Sequence, residues 1–216
     1  MKIIEFNEPH RRKHFEFFRQ MNHPHFSICA PVDITNLLAE IKQNNLPFMP
    51  TIVWLVSKVG NEFPEFRQRL REDLVVEHEV VHPSFAISTE ASDVFSFCEV
   101  KFDASYPVFL KRALEAIVRL QANPSFEDEH GRDDYLFLSS LPWVSFTAIE
   151  HAMSFHPHDS VPRIVWGKYF EENGKVKMPL SVQAHHALVD GRHAGLFFQR
   201  FEQLCGNVEW LERNVI

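Results

Sequence analysis

Two adjacent histidines followed by an aspartate and a glycine, in His185-His186-Ala187-Leu188-Val189-Asp190-Gly191, are the residues of this chain best suited to moving a proton. An imidazole titrates near pH 6.5, so a neutral one can take a proton from a substrate near neutrality and return it, provided that it is held in one tautomer. Asp190 offers a carboxylate four residues beyond His186, able to orient this turn directly or through a cation. The same aspartate suits a plainer task, since an Asp just before a helix accepts hydrogen bonds from the free N–H groups of the first turn. In a chain with 13 histidines the pair is, by spacing alone, equally compatible with surface or core positions.

Other titratable groups carry less. His23-Pro24-His25 and His156-Pro157-His158 lack a carboxylate or cysteine at metal-site spacing and read as loop residues. Cys29, Cys98 and Cys205 are an odd number without metal-ligand spacing, which fits reduced thiols buried as small core residues. Glu127 to Asp134 reads as a charge-rich, solvated loop, and no glycine-rich phosphate loop is present.

The elements that must position the histidine pair follow from periodicity. Ile164 to Phe170 and Val176 to Ala184 are two extended runs around Asn173-Gly174, a dipeptide that takes positive φ at low cost, so they are expected to form a hairpin. Its second strand delivers His185 and His186. Beyond them Ala194, Phe197, Phe198, Phe201 and Leu204 share one face of a helix expected to end near Gly206. Helices are also expected over Arg11 to Arg19, after an Asp33-Ile34-Thr35 cap with Leu37, Leu38 and Ile41, over Ile52 to Phe63 behind Pro50, and over Val108 to Leu120. Strands are expected at Leu74 to Val81, Phe85 to Ser88, Phe95 to Val100 and Tyr135 to Ser139. Helical and alternating patterns interleave without a linker or repeat, so the expectation is a single α+β domain over residues 1–216.

Composition excludes several classes. A net charge of −7 and a pI near 6.0 leave no basic footprint for nucleic acid. No run of about 20 apolar residues exists to span a bilayer, and the start of the chain turns acidic where an export signal would be apolar, so no membrane association and a cytoplasmic location are expected. Phenylalanine is heavily used, 21 residues against 3 tyrosines, so a core or a ligand pocket has flat apolar walls.

Gln183-Ala184-His185-His186-Ala187-Leu188-Val189-Asp190-Gly191 resembles the signature of the chloramphenicol acetyltransferase family, shared in shorter form, His-His-x-x-x-Asp-Gly, with the acyltransferase domains of 2-oxo acid dehydrogenases. Further blocks resemble that family in the same order: Arg11-Arg12-Lys13-His14-Phe15-Glu16-Phe17-Phe18, Val32-Asp33-Ile34-Thr35, Pro64-Glu65-Phe66-Arg67, Val81-His82-Pro83, Leu141-Pro142-Trp143-Val144-Ser145-Phe146 and Met178-Pro179-Leu180-Ser181-Val182-Gln183. The resemblance implies a two-layer α+β sandwich, a mixed β-sheet flanked by helices, assembled as a homotrimer with active sites at subunit interfaces. It implies acetyl-CoA as cosubstrate, no metal, and an acceptor hydroxyl on chloramphenicol or a related small molecule, hence a link to antibiotic resistance. On the same resemblance His186 is expected as general base and Ser139 as oxyanion donor, with Asp190 expected to pair with Arg11 in support of the turn. The resemblance also implies that Trp143 and Lys168 fall near the CoA channel, and Phe17, Phe18 and Phe85 near the acceptor pocket. Without the resemblance, Ser139 reads as a strand serine, Arg11 as part of a solvated basic pair, Trp143 as core and Lys168 as an exposed hairpin lysine.

The match departs at ligand positions. Phe18 stands where drug-modifying members commonly have tyrosine, and Val165 where they have threonine; both changes remove a hydroxyl. Pro47 and Met49 replace a lysine and a tyrosine that reach CoA, and Phe85-Ala86-Ile87-Ser88-Thr89 differs from the usual pocket strand. The departures leave open a different acceptor, such as a thiol carrier, and a trimeric protein that binds CoA or a small molecule without turnover.

Overall fold

Strand β10 (Lys175–His185) is buried from Met178 to its end, and its sequence there, Met-Pro-Leu-Ser-Val-Gln-Ala-His, is accordingly free of acidic and basic charge other than the imidazole. The computed structural model describes residues 1–126, 131–154 and 159–212. β10 pairs antiparallel with β2 (His25–Asp33) on one side, and with β8 (Arg163–Gly167) and β9 (Phe170–Glu172) on the other. The turn into β10 holds Asn173 at φ 52° and Gly174 at φ 74°, the two positive values that join twisted antiparallel strands with two residues.

The sheet continues with β7 (Tyr135–Leu141), β5 (His82–Ser88) and β6 (Phe95–Glu99) in the order β2-β10-β8-β7-β5-β6. It is mixed, because β7 runs parallel to both β8 and β5 while the remaining pairs are antiparallel. A small antiparallel sheet of β1 (Lys2–Ile4), β4 (Leu74–Glu77) and β3 (Gln68–Arg71) stands apart from it. The helices are α1 (Pro9–Arg19), α2 (Thr35–Gln43), α3 (Phe48–Glu62), α4 (Pro64–Arg67), α5 (Tyr106–Ala122), α6 (Gly191–Gly206) and α7 (Glu209–Glu212).

Alternation along the strands decides where the core sits. Leu180, Val182 and Ala184 of β10, Ile164 and Trp166 of β8, and Leu136 and Leu138 of β7 share one hydrophobic cluster with Ile52, Leu55 and Val59 of α3 and Phe197 and Phe201 of α6. Among the described residues the opposite face has no such helical cover. The segment after β7 lies against part of it, where Ser27 donates to the carbonyl of Ile149 and the amide of His151 donates to Gln183 Oε1. Gly167 permits this approach, since a Cβ there would stand 2.8 Å from both Pro179 Cγ and the carbonyl of Val144.

The expected helices are all present, with α1 starting two residues earlier than its pattern, behind a Glu8 cap. β4 ends at Glu77, short of the Val81 expected, because His78 turns to donate its amide to Arg67. β2 was not expected, and His25 within it is buried strand rather than loop. Its Pro31 disguises the strand, but β2 is at the sheet edge, where a missing N–H costs no ladder bond. His156 and His158 lie outside the described residues, as does the stretch 127–130. The remainder of that charged segment is not simply solvated. Although burial pushes its carboxyl up, Asp133 is held well below the usual carboxylate range by hydrogen bonds from Arg71 and His78. Its carbonyl accepts from Arg69, a fully enclosed guanidinium caged by the carbonyls of Phe66, Gln68, Asp133 and Tyr135.

Cys98 and Cys205 are buried, and burial raises both thiols, Cys98 to about 12. Neither suits a nucleophile, which must be a thiolate. Among the described residues no helix is long and apolar enough to cross a membrane.

Burial also lowers the imidazoles of His14, His25, His82 and His151 below the ordinary 6.5. The folded chain therefore binds fewer protons than the unfolded chain just below that pH. Stability is complete above about pH 6.5 and falls as pH drops from there toward the depressed folded values. Melting temperatures taken from about pH 8 down to about pH 5.5 are expected to decrease; a flat or rising series would contradict this reading.

Candidate active site

His186 follows the last residue of β10, and its amide donates to the carbonyl of Pro24 at 2.8 Å, which pins the strand end to the start of β2. The amides of Leu188 and Val189 both reach back to the carbonyl of His185 at 3.0 Å, closing a tight turn. Asp190 ends that turn as the N-cap of α6. Its carboxylate accepts from the amide of Arg192, while His193 Nδ1 accepts from the amide of Asp190 at 3.0 Å. The capping role expected of Asp190 is thus present, and its other oxygen is left for a second partner.

That partner is not the one expected. Asp190 Oδ2 lies 3.1 Å from His14 Nε2, and Arg11 stands behind, with Nη1 3.0 Å from His14 Nδ1 and Nη2 donating to the carbonyl of Leu188 at 3.0 Å. The direct Arg11–Asp190 pair is replaced by a three-member line in which an imidazole separates the two charges. Arg11 still influences Asp190 through space, and burial lowers its guanidinium somewhat against the opposing pull of Glu65 and Asp190. The Asp190 carboxyl is raised by burial, yet ends below its ordinary value through the Arg192 amide and His14. His14 is the principal site residue that sequence reasoning passed over. Its signal was present: Arg11, His14 and Phe18 fall at i, i+3 and i+7, one face of α1.

The His186 ring is held by aromatic contact. Phe18 lies parallel to it at 3.8 Å between centroids and 8° between planes, Phe26 is at 4.6 Å, and His14 is at 5.4 Å. Its Nδ1 is enclosed and bonded to nothing among the described residues, so stacking rather than a hydrogen bond at that nitrogen fixes the ring plane. Phe17, 62% exposed, meets Phe18 edge-on at 5.1 Å. Phe18 therefore touches the base directly, and Phe17 stands one ring behind it. Phe85 is not beside them. It is 1% exposed, and its alternation places it with Leu138 in the helix-side core, so it buttresses the sheet instead of lining a surface pocket.

Ser139 is in the middle of β7, half-buried, opposite Val165 of β8, which in turn pairs with Ser181 of β10. It points to the helix-free face. Two strand spacings and five residues along β10 separate it from His186, about 20 Å in all. The two residues are therefore not brought together within one chain. Trp143 follows β7 and is 76% exposed, so it is not core. Lys168 is exposed nearby: its amide donates to the carbonyl of Val144, and its carbonyl accepts from Ser145 Oγ. Adjacent Tyr169 packs 5.8 Å from Phe48 on α3, an exposed aromatic that sequence reasoning did not single out. Pro47 is the N-cap of α3 and Met49 its second residue, so the departures at these positions flank Phe48, Tyr169's partner.

His14, His186 and Asp190 present three ligand-type atoms within 4.8 Å of one another. The surroundings oppose a cation there, because a metal-bound imidazole ordinarily gives its second nitrogen to an acceptor, whereas His14 Nδ1 faces a guanidinium.

A family model described as chloramphenicol acetyltransferase matches residues 1–202. The chain is 31% identical over 203 residues to a chloramphenicol acetyltransferase of Proteus mirabilis, covering 94% of each, and 30% identical over 212 residues to one of Clostridium perfringens, covering 97% of each. Among solved structures it is similar to a chloramphenicol acetyltransferase with a TM-score of 0.82 at 24% identity, covering 94% of this chain and 99% of that one. The fold is shared more distantly with a dihydrolipoamide acetyltransferase of Azotobacter vinelandii, with a TM-score of 0.64 at 20% identity, covering 91% of this chain and 87% of that one.

Proposed function

The chain belongs to the chloramphenicol acetyltransferase family and is an acyltransferase; we propose that it transfers the acetyl group of acetyl-CoA to a hydroxyl of a small molecule, with His186 as general base. Nδ1 of His186 is enclosed, so Nε2 is the nitrogen that meets the acceptor. It takes the hydroxyl proton as the oxygen attacks the thioester carbonyl, and the resulting tetrahedral oxyanion receives a hydrogen bond from Ser139 Oγ. Collapse breaks the carbon–sulfur bond, and the imidazolium returns its proton to the departing thiolate. The step needs no acyl-enzyme and no metal.

One observation carries the reading of the assembly. Ser139 and His186 lie on different faces and about 20 Å apart, so one acyl group can meet both only if two copies of the chain supply one residue each. This supports a homotrimer of single-domain subunits spanning residues 1–216, with sites between them. Heterologous contacts of this kind close into rings when the rotation from copy to copy closes, and three copies are the ring proposed. Trp143 and Lys168, exposed on the Ser139 side, are assigned to CoA, while Phe17 and Phe18 beside His186 are assigned to the acceptor. A cytoplasmic location follows from the need for acetyl-CoA.

Phe18 favours a second acceptor class. It offers no hydroxyl to a polar drug and lies flat on the base, which suits a less polar alcohol or a thiol carrier as well as chloramphenicol. Release of CoA thiol from acetyl-CoA, measured with chloramphenicol and a panel of alcohols, amines and thiols, tests both readings. Turnover with chloramphenicol, together with growth of an expressing bacterial host on the drug, is the expected result. Turnover with another alcohol or thiol alone would keep the chemistry and discard the antibiotic. Silence across the panel with measurable CoA binding would favour a protein that binds without turnover.

A further inference from the structure

His14 stands between a guanidinium and a carboxylate, and the two neighbours leave it one arrangement. Arginine has only donors, so the 3.0 Å contact of Arg11 Nη1 requires a lone pair on His14 Nδ1. The imidazole proton is then on Nε2, where it is donated to Asp190 Oδ2 at 3.1 Å. A second proton would have to sit on Nδ1, pointing at a guanidinium N–H. It would break that bond and set two cations side by side, with a third on the His186 ring at 5.4 Å once that residue takes its substrate proton.

We propose that His14 is a positioning residue locked as the neutral Nε2–H tautomer, which ties Asp190 and the His186 turn to α1 and confines the proton that the site can accept to His186. The inference rests on the reading of His186 as base. The groups that face His14 are Arg11 and Phe18 on its own helix, Asp190 and His186 from the turn into α6, and, one step behind Arg11, Glu65 of α4, whose carboxylate is 3.6 Å from His193. The balance among them agrees with a neutral ring: burial lowers the His14 imidazole, Arg11 lowers it further, and Asp190 only partly opposes this. The lock also explains why Arg11 contacts the carbonyl of Leu188 rather than the carboxylate it was expected to meet. A guanidinium shared between Nδ1 and that carbonyl holds both ends of the turn.

The tautomer is read directly from long-range nitrogen–proton NMR spectra of the His14 ring in the unliganded full chain. Its protonated nitrogen is expected to be Nε2, and the ring is expected to stay neutral through the pH range in which an ordinary histidine becomes charged. An Nδ1–H tautomer, or titration at the ordinary 6.5, would overturn the proposal. Kinetics supplies the second arm. His14→Leu removes both bonds and is expected to lower kcat by about tenfold or more with KM for acetyl-CoA nearly unchanged, whereas His14→Gln, with an acceptor for Arg11 and a donor for Asp190, recovers most of it. In Arg11→Met the lock is lost, His14 becomes free to charge, and the acid limb of kcat/KM steepens from one proton to two. Equal rates in the leucine and wild-type proteins, or a one-proton limb in Arg11→Met, would count against it. If His186→Ala leaves transfer intact, the reading of the base falls; if His186 is essential but His14 titrates ordinarily, this inference alone falls.

Discussion

His186→Ala is expected to cut acetyl transfer by about 10²–10⁴-fold, the range over which a positioned general base contributes, while the protein keeps its fold. Both halves follow from the geometry. The side chain contributes no hydrogen bond at Nδ1, so its removal orphans no buried partner, and the bond that fastens the turn runs from the main-chain amide of residue 186 to Pro24, which alanine retains. What is lost is one ring from a stack with Phe18 and Phe26, a modest packing term at a half-buried position. His185→Ala is the informative contrast. That ring is buried on the helix-free face, edge-on to His25 at 5.2 Å, with Nδ1 accepting from the amide of Ala187. Its loss should lower the melting temperature more than His186→Ala does and act on rate only through the fold. CoA release and thermal melts on the two variants decide the matter: a His186→Ala enzyme with wild-type turnover would remove this residue from the mechanism.

The parts of the fold visible beforehand were those with a strong local period. The amphipathic stripe of α6 and the Asn173-Gly174 turn fix where β10 ends and a helix begins, and so fix the place of His186 without any tertiary information. β2 was hidden because its alternation of Phe26, Ile28, Ala30 and Val32 is interrupted by Pro31, which only its edge position makes harmless. Phe85 was expected at the acceptor pocket from the resemblance alone. The strand's own alternation points elsewhere: Pro83, Phe85 and Ile87 share one face and His82, Ser84, Ala86 and Ser88 the other, which puts the Phe85 ring with Leu138 in the core. The His14 contact spans 176 residues, from α1 to the cap of α6. Nothing local in either segment announces it, although the shared helix face with Arg11 and Phe18 shows afterwards why His14 was available. The separation of Ser139 from His186 is a property of sheet order, and was likewise beyond reach until β8 was placed between β7 and β10.

That separation generates the second large effect. Ser139→Ala removes the oxyanion donor and should cost about 10²–10³-fold in kcat, the usual result of deleting one such contact. Its fold should be intact, because Ser139 Oγ holds no partner among the described residues and its neighbour Val165 is already apolar. Two inactive variants can then restore one another. If each site takes His186 from one copy and Ser139 from the next, a chain carrying Ser139→Ala still offers its histidine, and a chain carrying His186→Ala still offers its serine. After the two are unfolded and refolded together in equal amounts, each site draws the intact histidine with a chance of one half and the intact serine with a chance of one half, so roughly a quarter of the sites regain both groups. Activity should rise from near zero to roughly a quarter of wild type, and refolding either variant alone should give none of it. Sites contained within single chains allow no such recovery, since every chain in the mixture lacks one group. A mixture that stays inactive, although each variant refolds and binds CoA, would place both residues' roles outside a shared site and require a different partner for His186.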